Sequence, residues 1–161
     1  MKLIRTLSVA ALVLGVAGAA SAQTASQDVT FSVTDVNTVA VSADPAELSA
    51  AAGGADATNS ATTYSVTTNS AVAKKITGYI SSAMPTGTTL SVNLADPDAA
   101  GGAASAGAVI LTGTTSGTAQ DLVTAITQLD ATAKQITYVV HAGVTATAAT
   151  SLSRTVTYTI Q

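Results

Sequence analysis

An all-β fold, an antiparallel two-sheet sandwich of immunoglobulin-like or pilin-like type, is what this sequence predicts, and three observations predict it. Val, Ile, Thr and Tyr recur with a period of two, which sends alternate side chains to opposite faces of an extended strand. Gly, Pro and Asp clusters interrupt these runs at the spacing of an all-β domain. All three prolines fall outside the alternating runs, as a residue that cannot donate to a ladder should. A closed barrel is the alternative architecture.

The chain begins with an export signal in the reading of its residues. Met1-Lys2-Leu3-Ile4-Arg5 is a short positive start, Leu7 to Ala20 is apolar, and Ala20-Ser21-Ala22 has the small-x-small form that signal peptidase accepts. Residues 1–22 are therefore expected to be a cleaved signal peptide, and residues 23–161 a single β-sandwich domain in the periplasm or at the cell surface. The apolar run is shorter than the ~20 residues that span a bilayer, so no membrane span is expected in the mature chain.

The strands then follow in order. Val29/Phe31/Val33, Val39/Val41, Tyr64/Val66, Ile76/Ile80, Leu90/Val92/Leu94, Ile136/Tyr138/Val140 and Val156/Tyr158/Ile160 each alternate with mostly Thr, Ser, Asn or Gln. Shorter candidates lie at 108–112 and 122–126. Phe31, Tyr64, Tyr138 and Tyr158 share the aliphatic parity of their strands and are expected in the core. Turn chemistry separates the runs at Asp44-Pro45, Gly53-Gly54, Pro85-Thr86-Gly87, Asp96-Pro97-Asp98 and Gly101-Gly102. The stretches 50–60 and 99–107, rich in Ala, Gly and Ser, read as flexible surface loops. Residues 44–53 carry an N-cap, a first-turn Pro and a terminal Gly, so helix and irregular loop both remain open there.

Composition excludes several function classes. Removing Lys2 and Arg5 leaves four basic residues against nine acidic ones, a formal charge of −5, which repels nucleic acid and anionic lipid. No cysteine is present, so no disulfide supports the fold. His141 is the one histidine. It falls opposite Ile136, Tyr138 and Val140 in parity, on the surface, and no nucleophile motif accompanies it. No catalytic residue and no cofactor is expected. Asp96 and Asp98, with Asp56, offer oxygens of the kind calcium prefers, but the spacing of a calcium loop is missing and Asp beside Pro is an ordinary turn. No N-x-[ST] sequon follows Asn37, Asn59, Asn69 or Asn93.

Three features suggest a binding role. Tyr79 lies opposite Ile76 and Ile80, where it either stacks against a sugar or partner or covers a neighbouring side chain. Val29, Phe31 and Val33 near one end, and Val156, Tyr158 and Ile160 at the other, form regular strand patterns with little to deter edge pairing. These two segments either pair within their own domain or exchange between copies as added strands.

The phrases Thr62-Thr63-Tyr64-Ser65-Val66-Thr67-Thr68-Asn69, Met84-Pro85-Thr86-Gly87-Thr88-Thr89-Leu90 and Arg154-Thr155-Val156-Thr157-Tyr158-Thr159-Ile160 resemble uncharacterised secreted bacterial β-proteins. The plan is similar in outline to pilin-like and spore-coat-U-like surface proteins. The resemblance implies a sandwich that assembles by strand exchange, although proteins of that type often carry a disulfide and this chain has none. The expected function is thus a non-enzymatic exported structural or surface protein, a filament or coat subunit. The alternative is a monomeric carbohydrate or envelope binding module. The expected partners are another copy of the chain, a neighbouring surface protein or a glycan.

Overall fold

The computed structural model describes residues 24–42, 46–99, 101–148 and 152–161. The expected signal segment, residues 1–22, and the Asp44-Pro45 turn lie outside the described residues. The chain divides into two units, Met1–Ser32 and Val33–Gln161, and all the strands belong to the second.

The fold is all-β, built from two antiparallel sheets. Among the described residues ten strands run in chain order: β1 (Asn37–Val41), β2 (Ala57–Asn59), β3 (Thr63–Thr68), β4 (Lys74–Ile80), β5 (Thr88–Leu94), β6 (Ala104–Ser105), β7 (Val109–Ile110), β8 (Gln120–Ile126), β9 (Leu129–Ala142) and β10 (Val156–Ile160). Among the described residues the only helical turn is a 3-10 turn at Ser116–Thr118. One sheet has the order β1-β3-β9-β5-β7, and the other β10-β4-β8-β6. Each order ends in edge strands, so neither sheet closes into a barrel.

β9 organises the first sheet because its 14 residues outrun every partner. β3 pairs along its first half, from Leu129 to Gln135, and β2 continues the same edge opposite Tyr138–Val140. β5 runs along the other edge from Ile136 to Ala142. The stretch 50–60, expected to be a loop, therefore contributes β2, because β9 leaves ladder groups open beyond the reach of β3. The stretch 99–107 likewise contributes β6, which pairs with β8 at Thr124 and Val123.

The core lies between the sheets. Tyr64, Val66, Leu90, Val92, Leu94, Ile136 and Tyr138 project from the first sheet, and Ile76, Ile80, Leu122 and Ile126 from the second, into one buried cluster. Gly78 sits between Ile76 and Ile80, and a Cβ there would fall 2.6 Å from Leu122 Cδ1, so the missing side chain lets the Leu122 side chain pack close against β4. The Tyr64 hydroxyl donates to the Ala95 carbonyl, which gives a buried polar tip its partner.

Three bulges reset the side-chain parity. Between Tyr64 and Val66 on β3, the partner on β9 steps from Lys134 to Ala131, leaving one extra residue, and Ala133 takes φ +52°. Leu129 and Ala131 therefore face inward ahead of the bulge, and Ile136 and Tyr138 after it. β8 bulges twice against β4, with Ala125 at φ +57°. A bulge inserts one unpaired residue and turns the strand, and the left-handed backbone is what lets it do so in so few residues.

Two further expectations are corrected, and one that stood open is decided. Residues 24–36 carry no regular secondary structure, so the strand expected around Val29, Phe31 and Val33 does not form. Phe31 is 84% exposed rather than in the core. Period-two alternation specifies which face a side chain would take but supplies no ladder partner, and an unpaired strand is not stable in water. Residues 46–52 form an irregular loop rather than a helix, ending in Gly53 at φ +66°, whose N–H donates to the Ala142 carbonyl at 2.8 Å.

Left-handed alanine is strained by about 1–2 kcal/mol, whereas Gly in a strand ordinarily costs stability. Ala133→Gly should therefore leave the urea midpoint unchanged or raise it. Ala131→Gly, two residues away at a buried site with ordinary backbone, should lower it.

Candidate binding surface

β10 holds the C-terminal set of predicted partner residues at the rim of the second sheet, where it pairs with β4 alone. Its hydrogen bonding shows which groups are left over. Gln161 exchanges both backbone bonds with Lys75, at 2.9 and 3.0 Å, and Ser81 N–H donates to the Thr155 carbonyl at 2.9 Å. Antiparallel pairs bond at alternate residues, so Thr157 and Thr159 also turn toward β4. The N–H and C=O groups of Val156, Tyr158 and Ile160 consequently point to the open edge. No Lys, Pro or charged side chain occupies β10 itself, so the usual deterrents to pairing are missing from that edge. β1 of the other sheet approaches it, and β1 is likewise an edge strand.

The side chains of the same β10 residues turn inward. Val156, Tyr158 and Ile160 pack against the core while remaining half-buried. The Tyr158 hydroxyl meets the Tyr138 hydroxyl at 2.8 Å, a direct polar tie from one sheet to the other. Burial holds the Tyr158 phenol well above its usual range, with Tyr138 adding to the effect, and burial raises Tyr64 and Tyr138 as well. Tyr79 stands opposite Thr157 in register, on the other face of β4 from Ile76 and Ile80, and is half-buried. It therefore does not join Val156, Tyr158 and Ile160 in one site.

The N-terminal set lies far from β10 in sequence. Val29, Phe31 and Val33 are 77, 84 and 78% exposed, without regular secondary structure.

Sequence reasoning missed a cleft at the end of the sandwich where β1 finishes and β10 begins. It measures about 800 Å³ and is lined by the loop 46–49, by Leu90, Tyr138 and Val140, and by the segment Leu152–Val156 with Tyr158. A second cavity of about 750 Å³ continues from it toward Ala142 and Ala146, sharing Leu48, Met84, Val140, Leu152 and Arg154. Thr62 Oγ1 is buried at the first cavity without a hydrogen-bond partner. The lining comes from segments far apart in sequence and from half-alternating loops, which leave no local pattern to detect.

His141 sits on the outer face of β9, as its parity predicts, and its Nδ1 lies 2.7 Å from Asp56 Oδ1. The pair ties the loop ahead of β2 to β9, and sequence reasoning did not find it because 85 residues separate the partners. Lys75 pairs with Asp121 at 2.8 Å across β4 and β8, and both side chains are exposed. Asp96 Oδ1 accepts the Asp98 N–H at 2.9 Å, the bond of an Asx turn. Among the described residues no cluster of three or more His, Cys, Asp or Glu side chains gathers to hold a metal ion, and Asp56 lies with His141 rather than with Asp96 and Asp98.

No protein-family model matches the chain, and neither a curated protein nor a solved structure matches it.

Two measurements check the site. A phenol whose folded pKa is raised above the ordinary 10.0 stays neutral in the native state while its unfolded counterpart ionises. The unfolded chain then binds fewer protons, so stability is full below pH 10 and falls above it. In an alkaline titration, phenolate absorbance from Tyr64, Tyr138 and Tyr158 should rise together with the loss of sheet circular dichroism. By contrast, Asp56→Asn breaks an exposed pair and should shift the urea midpoint by less than ~1 kcal/mol equivalent.

Proposed function

We propose that this chain is an exported, non-enzymatic structural subunit of a bacterial surface, pilin-like or spore-coat-U-like in plan, that assembles when residues 27–33 of one copy add as a strand to a sheet edge of the next. The carrying observation is the exposure of Val29, Phe31 and Val33 at 77, 84 and 78% in a segment with strand alternation and no strand. A sequence that alternates in this way gains by burial on one side of a sheet, and isolated it has none. The open groups of Val156, Tyr158 and Ile160 supply an edge of matching length on which a donated strand would find ladder bonds.

Magnitudes limit how this works. Fully burying one Val or Phe side chain contributes about 1.5–3 kcal/mol, so the three together contribute roughly 5–9. Association costs about 4–15 kcal/mol in lost freedom. Side-chain burial alone is marginal against that cost, and the backbone ladder must supply the remainder, which is why the acceptor has to be an open strand edge rather than a flat apolar patch. Export to the periplasm or cell surface accords with the form of residues 1–22.

A second reading, a monomeric binding module for an envelope component, is favoured by the cleft beside β10. The readings separate in one experiment. Residues 23–161 should form oligomers by light scattering, and deleting 24–32 or introducing Phe31→Ser should yield monomers with unchanged sheet circular dichroism. Wild-type protein that stays monomeric at high concentration, or oligomers that survive both changes, would rule out assembly through this segment.

A further inference from the structure

The cleft between the sheets carries a ligand inference that goes beyond the assembly reading and does not depend on it. Its volume of about 800 Å³ lies in the range of about 300–1,000 Å³ that encloses small molecules. Leu48, Met84, Leu90, Val140, Leu152 and Val156 give it an apolar wall. Polar side chains interrupt that wall, and those of Thr62, Arg154 and the Tyr138–Tyr158 pair have bonding capacity to spare.

Thr62 is 4% exposed and its Oγ1 has no partner, whereas its backbone carbonyl is satisfied by Ile136 N–H at 2.8 Å. Leaving a buried hydroxyl unpaired costs about 1–3 kcal/mol, so a fold that retains one at the wall of a cavity has a place for an acceptor there. The bond between the Tyr138 and Tyr158 hydroxyls uses one of their two hydrogens. No acceptor for the other is found among the described residues. Arg154 lines both cavities where they meet. Its Nε and Nη2 donate to the Ala83 carbonyl at 3.2 and 3.1 Å, and Nη1 donates to the Ser153 carbonyl at 2.8 Å. A guanidinium has five N–H groups, so two remain, and no ion pair to it forms among the described residues. Glu47, the other charged residue of the lining, is exposed at the rim of the first cavity only.

We infer that the cleft binds an amphipathic monocarboxylate with an oxygen function on its chain, the class of hydroxylated fatty acids. The carboxylate takes the two spare N–H groups of Arg154, a fork that matches its planar geometry. The hydrocarbon lies along Met84, Leu90 and Val156. The chain oxygen accepts from Thr62 and from the spare tyrosine hydroxyl, which removes the burial penalty that Thr62 Oγ1 carries in the free protein.

Residues 23–161 would be titrated by calorimetry with hydroxystearate, stearate and the methyl ester of hydroxystearate. Hydroxystearate should bind once per chain, with stearate and the ester each about tenfold weaker, the loss expected for one hydrogen-bonding group. Thr62→Val should erase the difference between the two acids while leaving the free protein as stable or more so, since it removes an orphan hydroxyl at similar volume. Arg154→Gln should erase the difference between acid and ester. Circular dichroism verifies both folds. Deleting residues 24–32 should leave binding intact, so failure of assembly and failure of this site are read separately. No binding by any of the three, or binding that ignores both the hydroxyl and the charge, overturns the inference. It is equally overturned if a peptide of residues 27–33 occupies the cleft and none of the lipids does.

Discussion

The burial of two apolar faces against each other, with no disulfide between them, is the constraint on which the rest of this structure depends. No cysteine is available, so the second sheet is held to the first by side chains alone. β9 makes that possible. By outrunning β3 and taking β2 on the same edge and β5 on the other, one long strand sets the register for most of its sheet and carries Ile136 and Tyr138 to the centre of the core. The second sheet answers with Ile76, Ile80, Leu122 and Ile126, and the glycine at position 78 lets its own two central strands nest without a gap. A hydrophobic face is non-directional, so specificity of register comes from the bulges and from polar contacts such as Tyr64 to Ala95.

The same arrangement explains why the molecule is open where it is. Packing is dense along β4, β5, β8 and β9, and it thins toward β1 and β10, the edges that approach each other from opposite sheets. There the interior continues into the cleft instead of into more core. The open ladder and the cleft meet at Val156 and Tyr158, which belong to both, on a strand that ends its sheet. Both proposals therefore concern the same incomplete side of one fold, approached once through its backbone and once through its side chains.

Most strands could be read from the sequence because their side chains alternate between a buried and a wet face. Tyr64/Val66, Ile76/Ile80, Leu90 to Leu94, Ile136 to Val140 and Val156 to Ile160 all appear as strands at the expected positions. Where alternation was absent, strands went unseen: β2 and β6 are short runs of small residues whose conformation is imposed by neighbours, not by their own preference. Where alternation was present without a partner, it misled, as at Val29 to Val33. The bulges were invisible because an alanine at positive φ has no signature in the chain, and the parity of β9 is interpretable only on either side of Ala133. Of the site, the residues of β10 were legible and the cleft was not. The unpaired state of the Thr62 hydroxyl is a property of three-dimensional surroundings that no spacing rule encodes.

The contact between Tyr138 and Tyr158 has one more consequence. The chain has four tyrosines and no tryptophan, so phenol emission is not drained by an indole. Two of those four rings belong to opposite sheets and share a hydrogen bond across the interior. Their ultraviolet fluorescence is consequently a native gauge of sheet separation, reporting when the halves part without any attached dye.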